Sequence, residues 1–273
     1  LVREVVLPYQ WKVINDEVEI KLPSDPAGNT FAINRSGAIL NLRIAAGEAE
    51  GVFNGFPFQD SDVYKWLEAA AYVLADHEDE ELRAHCDELV ALIGRAQMDD
   101  GYLDTYFQIN DISRRFARLE QSHELYLMGH YIEAGIAYWE AVGNKEALDI
   151  ACRMADCIDE NFGPQEGKIH GGDGHPEIEI ALARLFEATD EKRYLDLAHW
   201  FIVNRGVDPD FYKRQNEADG IGRDLFESMH NLPLSYLQAD KPYLEQTEVN
   251  GHAVRALYLL SAAAHVARLT GDE

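Results

Sequence analysis

Three histidines stand at predicted helix starts, where neutral imidazole rings could bind the hydroxyl groups of a ligand. His123 follows a Gln-Ser pair, His175 precedes a proline, and His252 follows an Asn-Gly pair. In an array of helical hairpins the corresponding ends of the inner helices open onto one face. We therefore predict that the three side chains converge on one pocket, although capping or surface histidines would show the same placement.

Aromatic residues lie beside acidic ones at two further places in the sequence. Trp66 follows the segment Asp60–Asp62, and Tyr102 follows an Asp-Asp-Gly turn. Aromatic faces stack on the C–H faces of a sugar, while carboxylates and imidazoles pair with its hydroxyl groups. The pattern favours a sugar ligand, with core packing an equally good explanation for Trp66.

Acidic pairs that could cleave a glycosidic bond are present but unspecific. Cleavage needs two carboxyl groups about 5 to 9 Å apart. Asp60 with Asp62 and Glu177 with Glu179 are nominal pairs, but a chain with 49 acidic residues contains such pairs by chance. Residues two apart on a helix also point to different faces. These acidic pairs alone therefore identify no catalytic residues.

Histidine and acid spacings do not indicate a metal site. His170, Asp173 and His175 lie close together, and His123 and His130 lie about two turns apart. Neither set has the spacing of a known zinc motif, so we predict no metal ligands in this chain.

The elements that must position these residues are helices. From Asp62 onward the apolar residues recur at helical spacing. They predict seven helices, six of them paired in hairpins: 63–74 with 82–93, 125–139 with 148–162, 176–185 with 195–201, and then 249–269. In the third hairpin Pro176 is placed at the first helical position. The inward stripe of the last helix is predicted as Ala253, Ala256, Leu257, Leu260 and Ala264.

The hairpins repeat one another in sequence. Tyr138–Lys145 and Leu185–Lys192 have the same helix ending, turn and restart, and Val266–Glu273 repeats the ending. Repeated hairpins stack, because no single hairpin buries its apolar stripe alone. We therefore predict an all-α chain of stacked helical hairpins.

Two regions lack helical periodicity. Residues 1–50 alternate apolar and polar side chains at Val2, Glu4 and Val6, which predicts a short extended or coil segment packing on the helices. Residues 51–273 are assigned to the helical domain. The 42 residues from Gly206 to Thr247 form a connection that either serves a site or is disordered.

The composition excludes several classes of partner. The chain has 24 Lys and Arg against 49 Asp and Glu, a net charge of −25, which would repel nucleic acid and an anionic membrane surface. No run of 18 apolar residues or signal peptide pattern occurs, so a cytoplasmic location is favoured. The three cysteines, Cys86, Cys152 and Cys157, form no CxxC pair and are interpreted as packing residues.

Several longer motifs resemble the β-L-arabinofuranosidases of glycoside hydrolase family 127. The matching segments appear in the family's order across almost the whole chain: 8–16, 60–69, 97–107, 123–126, 174–179 and 251–256. The resemblance implies an (α/α)6 barrel, incomplete in this chain. It also implies release of terminal β-L-arabinofuranose from plant-type oligosaccharides by a retaining mechanism.

The same resemblance implies which site residues this chain carries. His123, His175 and His252 fall on family histidines that bind sugar hydroxyl groups, and further candidates are Asp62, Trp66, Tyr102 and Glu177. A zinc-bound cysteine nucleophile and a glutamate general acid are implied beyond Glu273. Zinc is thus expected in a full-length protein and no cofactor in this chain, which alone is expected to be inactive.

Two other functions stay open. One is an (α/α)6 hydrolase of another plant cell-wall sugar, although a strongly acidic substrate would favour more arginines than this chain has, with Arg255 the exception. The other is a non-catalytic sugar-binding or assembly module that pairs its open face with a second subunit as a homo-oligomer.

Overall fold

The structure is a computed structural model that describes residues 1–19, 35–220, 224–225 and 232–272, and its regular elements are helices. The α-helices are α1 (Leu7–Ile14), α2 (Ala38–Ala45), α3 (Asp60–Asp76), α4 (Glu80–Ala96), α5 (Thr105–Asn110), α6 (Glu124–Val142), α7 (Lys145–Asn161), α8 (Ile178–Thr189), α9 (Lys192–Asn204), α10 (Phe211–Asp219) and α11 (Ala253–Thr270). Within the described residues the β-structure is limited to one isolated bridge, Phe162 to Ile169. The all-α prediction is confirmed.

The chain forms two compact units. The first comprises Leu1–Ile112 and Ala134–Ile150, and the second comprises Ser113–Glu133 and Ala151–Glu273. Helices α6 and α7 each have one end in the first unit and the other end in the second. In the part of the chain that the structure describes, no helix has the length and apolar character needed to cross a membrane.

The start of the chain corrects the predicted extended segment. Residues 2–6 form a π-helical turn that leads into α1, and α2 is also helical, whereas residues 20–34 lie outside the described part. The prediction from the alternation at Val2, Glu4 and Val6 is wrong, because these residues are helical. Leu7, Trp11 and Ile14 recur at i, i+4 and i+7, which is a helical stripe.

Packing in the first unit holds α1 in place. The Trp66 indole N–H on α3 donates to the carbonyl oxygen of Leu7 at 3.0 Å. The Trp11 ring lies 4.5 Å from the Trp66 ring and 4.6 Å from the His85 ring, measured between centroids. Leu7 and Ile14 are buried on the face of α1 that carries Trp11, and this burial together with the aromatic contacts stabilises the helix.

The predicted hairpins and their repeated turn are confirmed. Helix α6 is followed by Gly143 and helix α8 by Asp190, with φ of +76° and +60°. The N–H groups of both residues donate back to a carbonyl oxygen four residues earlier at 2.8 Å. Helix α11 ends in the same way at Gly271, with φ of +72°. Left-handed residues terminate helices in this manner.

Two boundaries differ from the prediction. Helix α8 begins at Ile178 with Glu177 as its N-cap, so Pro176 lies before the helix. The connection from Gly206 to Thr247 contains α10 and two short 3₁₀ turns, while its residues 221–223 and 226–231 lie outside the described part. The sequence does not predict helix α10, because its residues are mostly polar and only Tyr212 among them is buried.

The inward face of α11 also differs from the prediction. Its buried residues are Arg255, Ala256, Leu259, Ala262 and Val266, whereas Leu257 is 62% exposed and Leu260 is 40% exposed. Of the residues predicted to face inward, only Ala256 is buried. The helix is apolar on more than one side. Its buried face contains an arginine and is therefore not the most apolar one, so the sequence pattern favours the wrong face.

A pair of leucine substitutions tests this orientation. Leu259→Ala is expected to lower the free energy of unfolding by about 2 kcal/mol, because it opens a cavity beneath α11. Leu257→Ala is expected to change it by less than about 0.5 kcal/mol, since that side chain faces solvent. Chemical denaturation of both variants is the measurement, and equal costs would contradict the observed face.

Candidate functional site

The structure brings the three predicted histidines together in the second unit. The ring centroids of His123 and His175 lie 5.7 Å apart, and those of His175 and His252 lie 6.4 Å apart. His123 and His175 are buried, and His252 is half-buried as the N-cap of α11. We call these three residues the histidine cluster, and its contact with a substrate stays a prediction.

Two tyrosines that the sequence analysis missed complete the surroundings of the cluster. The Tyr126 ring lies 4.7 Å from the His175 ring and 5.6 Å from the His123 ring. The Tyr258 ring lies 5.3 Å from the His175 ring. Tyr126 stands three residues after His123, on the first turn of α6. Because side chains three residues apart lie on the same face of a helix, this spacing could have predicted Tyr126 beside His123. Aromatic rings beside neutral imidazoles can stack on an apolar sugar face.

Asp173 joins the parts of the chain that carry the cluster. Its carboxylate accepts the backbone N–H groups of Leu125 at 3.0 Å, Tyr126 at 3.2 Å and His175 at 3.2 Å. The first N–H groups of a helix have no acceptor within the helix, and a carboxylate there also suits the helix dipole. Asp173 therefore fixes the start of α6 against the loop of His175.

The environment of Asp173 is buried and holds two arginines. Burial raises the pKa of Asp173 to about 7, while the backbone N–H groups and the charges of Arg255 and Arg205 act in the opposite direction. Arg205 donates to the Asp173 carbonyl oxygen at 3.0 Å and to the Glu179 carboxylate at 3.1 Å. These contacts give the buried arginine a partner and tie α9 to the loop of His175.

Gly174 allows the loop of His175 to lie against the segment before α6. Its N–H donates to the carbonyl oxygen of Leu119 at 2.8 Å. A Cβ atom at this position would lie 2.5 Å from the carbonyl oxygen of Glu120, which is a backbone atom and cannot swing aside. The close approach that places His175 beside His123 thus depends on glycine.

We expect Gly174→Ala to lower the free energy of unfolding by about 2 to 3 kcal/mol, because the two backbones must separate. The matched control is Gly167→Ala, where nothing lies within 4 Å but φ is +89°. That control is expected to cost about 1 kcal/mol of backbone strain. The stabilities of both variants are measured by thermal unfolding. A Gly174→Ala variant as stable as wild type would refute the close packing of the two backbones.

His123 occupies a strained backbone position. Its φ is +60°, a left-handed conformation that is uncommon for a residue with a side chain. Its Nδ1 lies 2.7 Å from the carbonyl oxygen of Gln121. The side chain of Gln121 in turn donates to Asp224 at 3.0 Å and accepts the N–H of Leu225 at 2.8 Å. Strain of this kind persists where surrounding contacts hold it, as they do here.

The electrostatic surroundings favour neutral rings. Burial lowers the pKa of His175 to about 2, with smaller contributions from His123 and Arg255. Burial and Arg255 also lower the pKa of His252. The Arg255 guanidinium lies 4.9 Å from the centroid of the Tyr236 ring, and the Tyr236 ring lies 5.2 Å from that of His252. His175 and His252 therefore combine one donor and one acceptor each at neutral pH.

A second group lies next to the cluster. The predicted site residue Glu177 is fully buried, with its Oε1 3.2 Å from Nδ1 of His130. His130, Glu133 and Glu177 each offer one ligand atom within 4.8 Å of the others, an arrangement that could hold a divalent cation. Glu133 also accepts from Arg184 at 2.7 Å. The spacing of histidines and acids in the sequence predicts no metal ligands in this chain, because these three residues come together only in the fold.

This group does not fit a zinc centre that contains cysteine. It offers only imidazole and carboxylate donors. Burial raises the pKa of the Cys86 thiol to about 12, the opposite of what a metal-binding thiolate needs, and Cys86 lies in the first unit. The zinc-bound cysteine implied by the family resemblance is therefore not supplied by these donors.

The remaining predicted residues lie in the first unit. Asp62 accepts from Gln59 at 2.7 Å, and burial raises the pKa of its carboxyl group. Trp66 and Tyr102 are buried in the core of that unit. The structure thus shows a packing role for both rings, and a contact of these three residues with substrate stays a prediction.

Comparisons with known proteins point to one family. The family model described as "Beta-L-arabinofuranosidase, GH127 catalytic domain" matches residues 2–273. A protein of Bifidobacterium longum subsp. longum named non-reducing end beta-L-arabinofuranosidase is 54% identical over 274 residues, which are 99% of this chain and 42% of that protein.

Solved structures agree with this similarity. Ara127N-Se, a GH127 beta-L-arabinofuranosidase from Geobacillus stearothermophilus T6, superposes with a TM-score of 0.88 at 44% identity, over 99% of this chain and 40% of that one. Another GH127 beta-arabinofuranosidase gives a TM-score of 0.78 at 32% identity, over 99% of this chain and 38% of that one. The chain spans about two fifths of the length of these relatives. The predicted (α/α)6 class of helical hairpins is confirmed.

Proposed function

Because the chain belongs to the GH127 catalytic-domain family of β-L-arabinofuranosidases, we propose that it is the sugar-recognition part of a retaining glycoside hydrolase. The proposed reaction releases terminal β-L-arabinofuranose from plant-type oligosaccharides. The observation that carries the proposal is the convergence of His123, His175 and His252 beside two tyrosine rings. We place the nucleophile and the general acid outside these 273 residues, as the resemblance implies.

The chemistry of the cluster suits a neutral sugar better than a charged ligand. Imidazoles held neutral by burial can bind hydroxyl groups as donors and as acceptors without attracting a counter-ion. The tyrosine rings offer apolar surface to the C–H groups of the sugar. In this proposal the residues of the chain bind and orient the sugar, and they transfer no proton in the reaction.

The proposed domain organisation follows from the same function. We propose residues 51–273 as a portion of the catalytic helical domain and residues 1–50 as an N-terminal segment, of which the described residues 1–19 and 35–50 pack on that domain. In the first unit, the hydrogen bond from Trp66 to Leu7 supports this packing, because it joins the two regions. Within the second unit, Glu177 is proposed as a substrate-binding residue beside the histidine cluster; Asp62, Trp66 and Tyr102 of the first unit stay candidate substrate-binding residues.

A panel of aryl glycosides tests the proposed activity. The full-length protein from the native gene is assayed beside the 273-residue chain, with and without a zinc chelator. We expect that only the longer protein cleaves the aryl β-L-arabinofuranoside and that chelation abolishes the cleavage. Cleavage of another sugar in its place would contradict the proposed substrate. Chelator-resistant turnover by the short chain would refute the proposal that the nucleophile and the general acid lie outside these 273 residues.

A second function, a sugar-binding or assembly module, is favoured by one surface. Leu244 and Leu260 are exposed, and both line two hollows of about 370 Å³ each, one between α11 and residues 238–250 and the other between α11 and α9. Contiguous apolar surface of this kind usually contacts another protein surface. Light scattering separates the alternatives: a tight dimer of the chain supports the assembly module, and a labile monomer supports a part of a longer enzyme.

A further inference from the structure

Two histidines of the cluster bind backbone carbonyl groups through the same ring nitrogen. Nδ1 of His123 lies 2.7 Å from the carbonyl oxygen of Gln121, and Nδ1 of His175 lies 2.8 Å from the carbonyl oxygen of Pro176. A carbonyl oxygen can only accept a hydrogen bond, so Nδ1 must carry the hydrogen in both rings. In a neutral ring with hydrogen on Nδ1, the other nitrogen, Nε2, is an acceptor.

His252 shows the opposite arrangement. As the N-cap of α11, its Nδ1 accepts the backbone N–H of Arg255 at 3.4 Å. A backbone N–H can only donate, so Nδ1 of His252 carries a lone pair and the hydrogen of the neutral ring is on Nε2. This ring therefore offers a donor at the nitrogen where His175 offers an acceptor.

The surroundings of the two rings keep this difference in place. Arg255 is buried and extends from the same helix start as His252. Its positive charge, together with burial, disfavours a second proton on His175 and on His252. The backbone partners that fix the tautomers belong to α11 and to the Pro176 turn, so a ligand cannot exchange one tautomer for the other without breaking a backbone contact.

We propose that the cluster presents opposite hydrogen-bond polarity at neighbouring rings: Nε2 of His175 accepts a hydrogen bond from the ligand, and the Nε2–H of His252 donates one. His123 has the tautomer of His175. The ligand class is a polyol in which one hydroxyl donates to His175 and a second oxygen accepts from His252. The identity of this polyol as an arabinofuranoside rests on the proposed function. The tautomers do not, because they follow from hydrogen bonds to the backbone.

Nitrogen NMR of the ¹⁵N-histidine-labelled protein tests the tautomers without any ligand. The signals of the two rings are assigned by their loss in His175→Gln and His252→Gln, and by through-bond correlation if either variant fails to fold. We expect His175 to show a protonated Nδ1 and a bare Nε2, and His252 to show the reverse. The same tautomer in both rings would overturn the proposal.

A set of fluorinated ligands tests the polarity in binding. In each derivative of methyl β-L-arabinofuranoside, fluorine replaces one hydroxyl group, and fluorine can accept weakly but cannot donate. We expect one derivative to bind at least about tenfold more weakly to wild type, because the acceptor of His175 is then left unsatisfied. That penalty should vanish in His175→Leu and persist in His252→Leu.

The outcomes keep the two proposals apart. The expected tautomers without binding of any arabinofuranoside would contradict the proposed substrate but support the polarity. If every fluorinated derivative bound with the same reduced affinity to wild type and to both variants, the assignment of donor and acceptor would be refuted.

Discussion

Asp173→Asn is expected to lower the free energy of unfolding by about 3 kcal/mol and to weaken sugar binding together with it. The carboxylate of Asp173 accepts three backbone N–H groups, from Leu125, Tyr126 and His175, in a buried place. An asparagine side chain has one acceptor oxygen and one donor NH₂ group. At least one backbone N–H would therefore face another donor, and the start of α6 would move away from the loop of His175.

Chemical denaturation and calorimetric titration with methyl β-L-arabinofuranoside measure the two effects. The matched control is Asp210→Asn, since Asp210 is exposed at the N-cap of α10 and its side chain makes no capping hydrogen bond. The control is expected to change the stability by less than about 0.5 kcal/mol. If Asp173→Asn were as stable as the control, the joining role of Asp173 would be wrong.

His175→Leu is expected to weaken the binding of methyl β-L-arabinofuranoside by about 100-fold, the cost of leaving a buried sugar hydroxyl without its acceptor. His175 is central in the cluster, with the rings of His123, His252, Tyr126 and Tyr258 within 6.4 Å of it. Since its ring is neutral and its Nδ1 contact is local, we expect a smaller effect on stability than on binding.

Two matched variants give this prediction its controls. His175→Gln retains an acceptor near the position of Nε2 and is expected to recover part of the affinity. His199→Leu removes a half-exposed histidine outside the cluster, whose Nε2 lies 3.6 Å from the Asp272 carboxylate, and it should leave binding unchanged. If His175→Leu and wild type bound the sugar with equal affinity, the claim that His175 binds the sugar would be wrong.

The sequence predicted long elements well and short or polar elements poorly. The hairpins were predictable because their apolar stripes run over several turns and end at left-handed turns such as Gly143. Helices α2 and α5 span 8 and 6 residues, too few for a periodic pattern, and α10 is mostly polar. In α11 the buried Arg255 concealed the true inward face.

The same limit applies to the candidate site. The three histidines could be found because each stands at a helix start, a position that sequence patterns mark. Asp173 could not, because its partners are backbone N–H groups, which carry no sequence signal. The contact between His130 and Glu177 joins α6 to the start of α8, and only the folded chain brings them together.

The central claim is that the histidine cluster holds the sugar, and a crystal structure of the full-length protein with methyl β-L-arabinofuranoside tests it most directly. We predict a furanose ring within hydrogen-bond distance of Nε2 of His123, His175 and His252, with a tyrosine ring beside its C–H face. A sugar bound elsewhere, with the cluster in contact only with protein groups, would contradict the account.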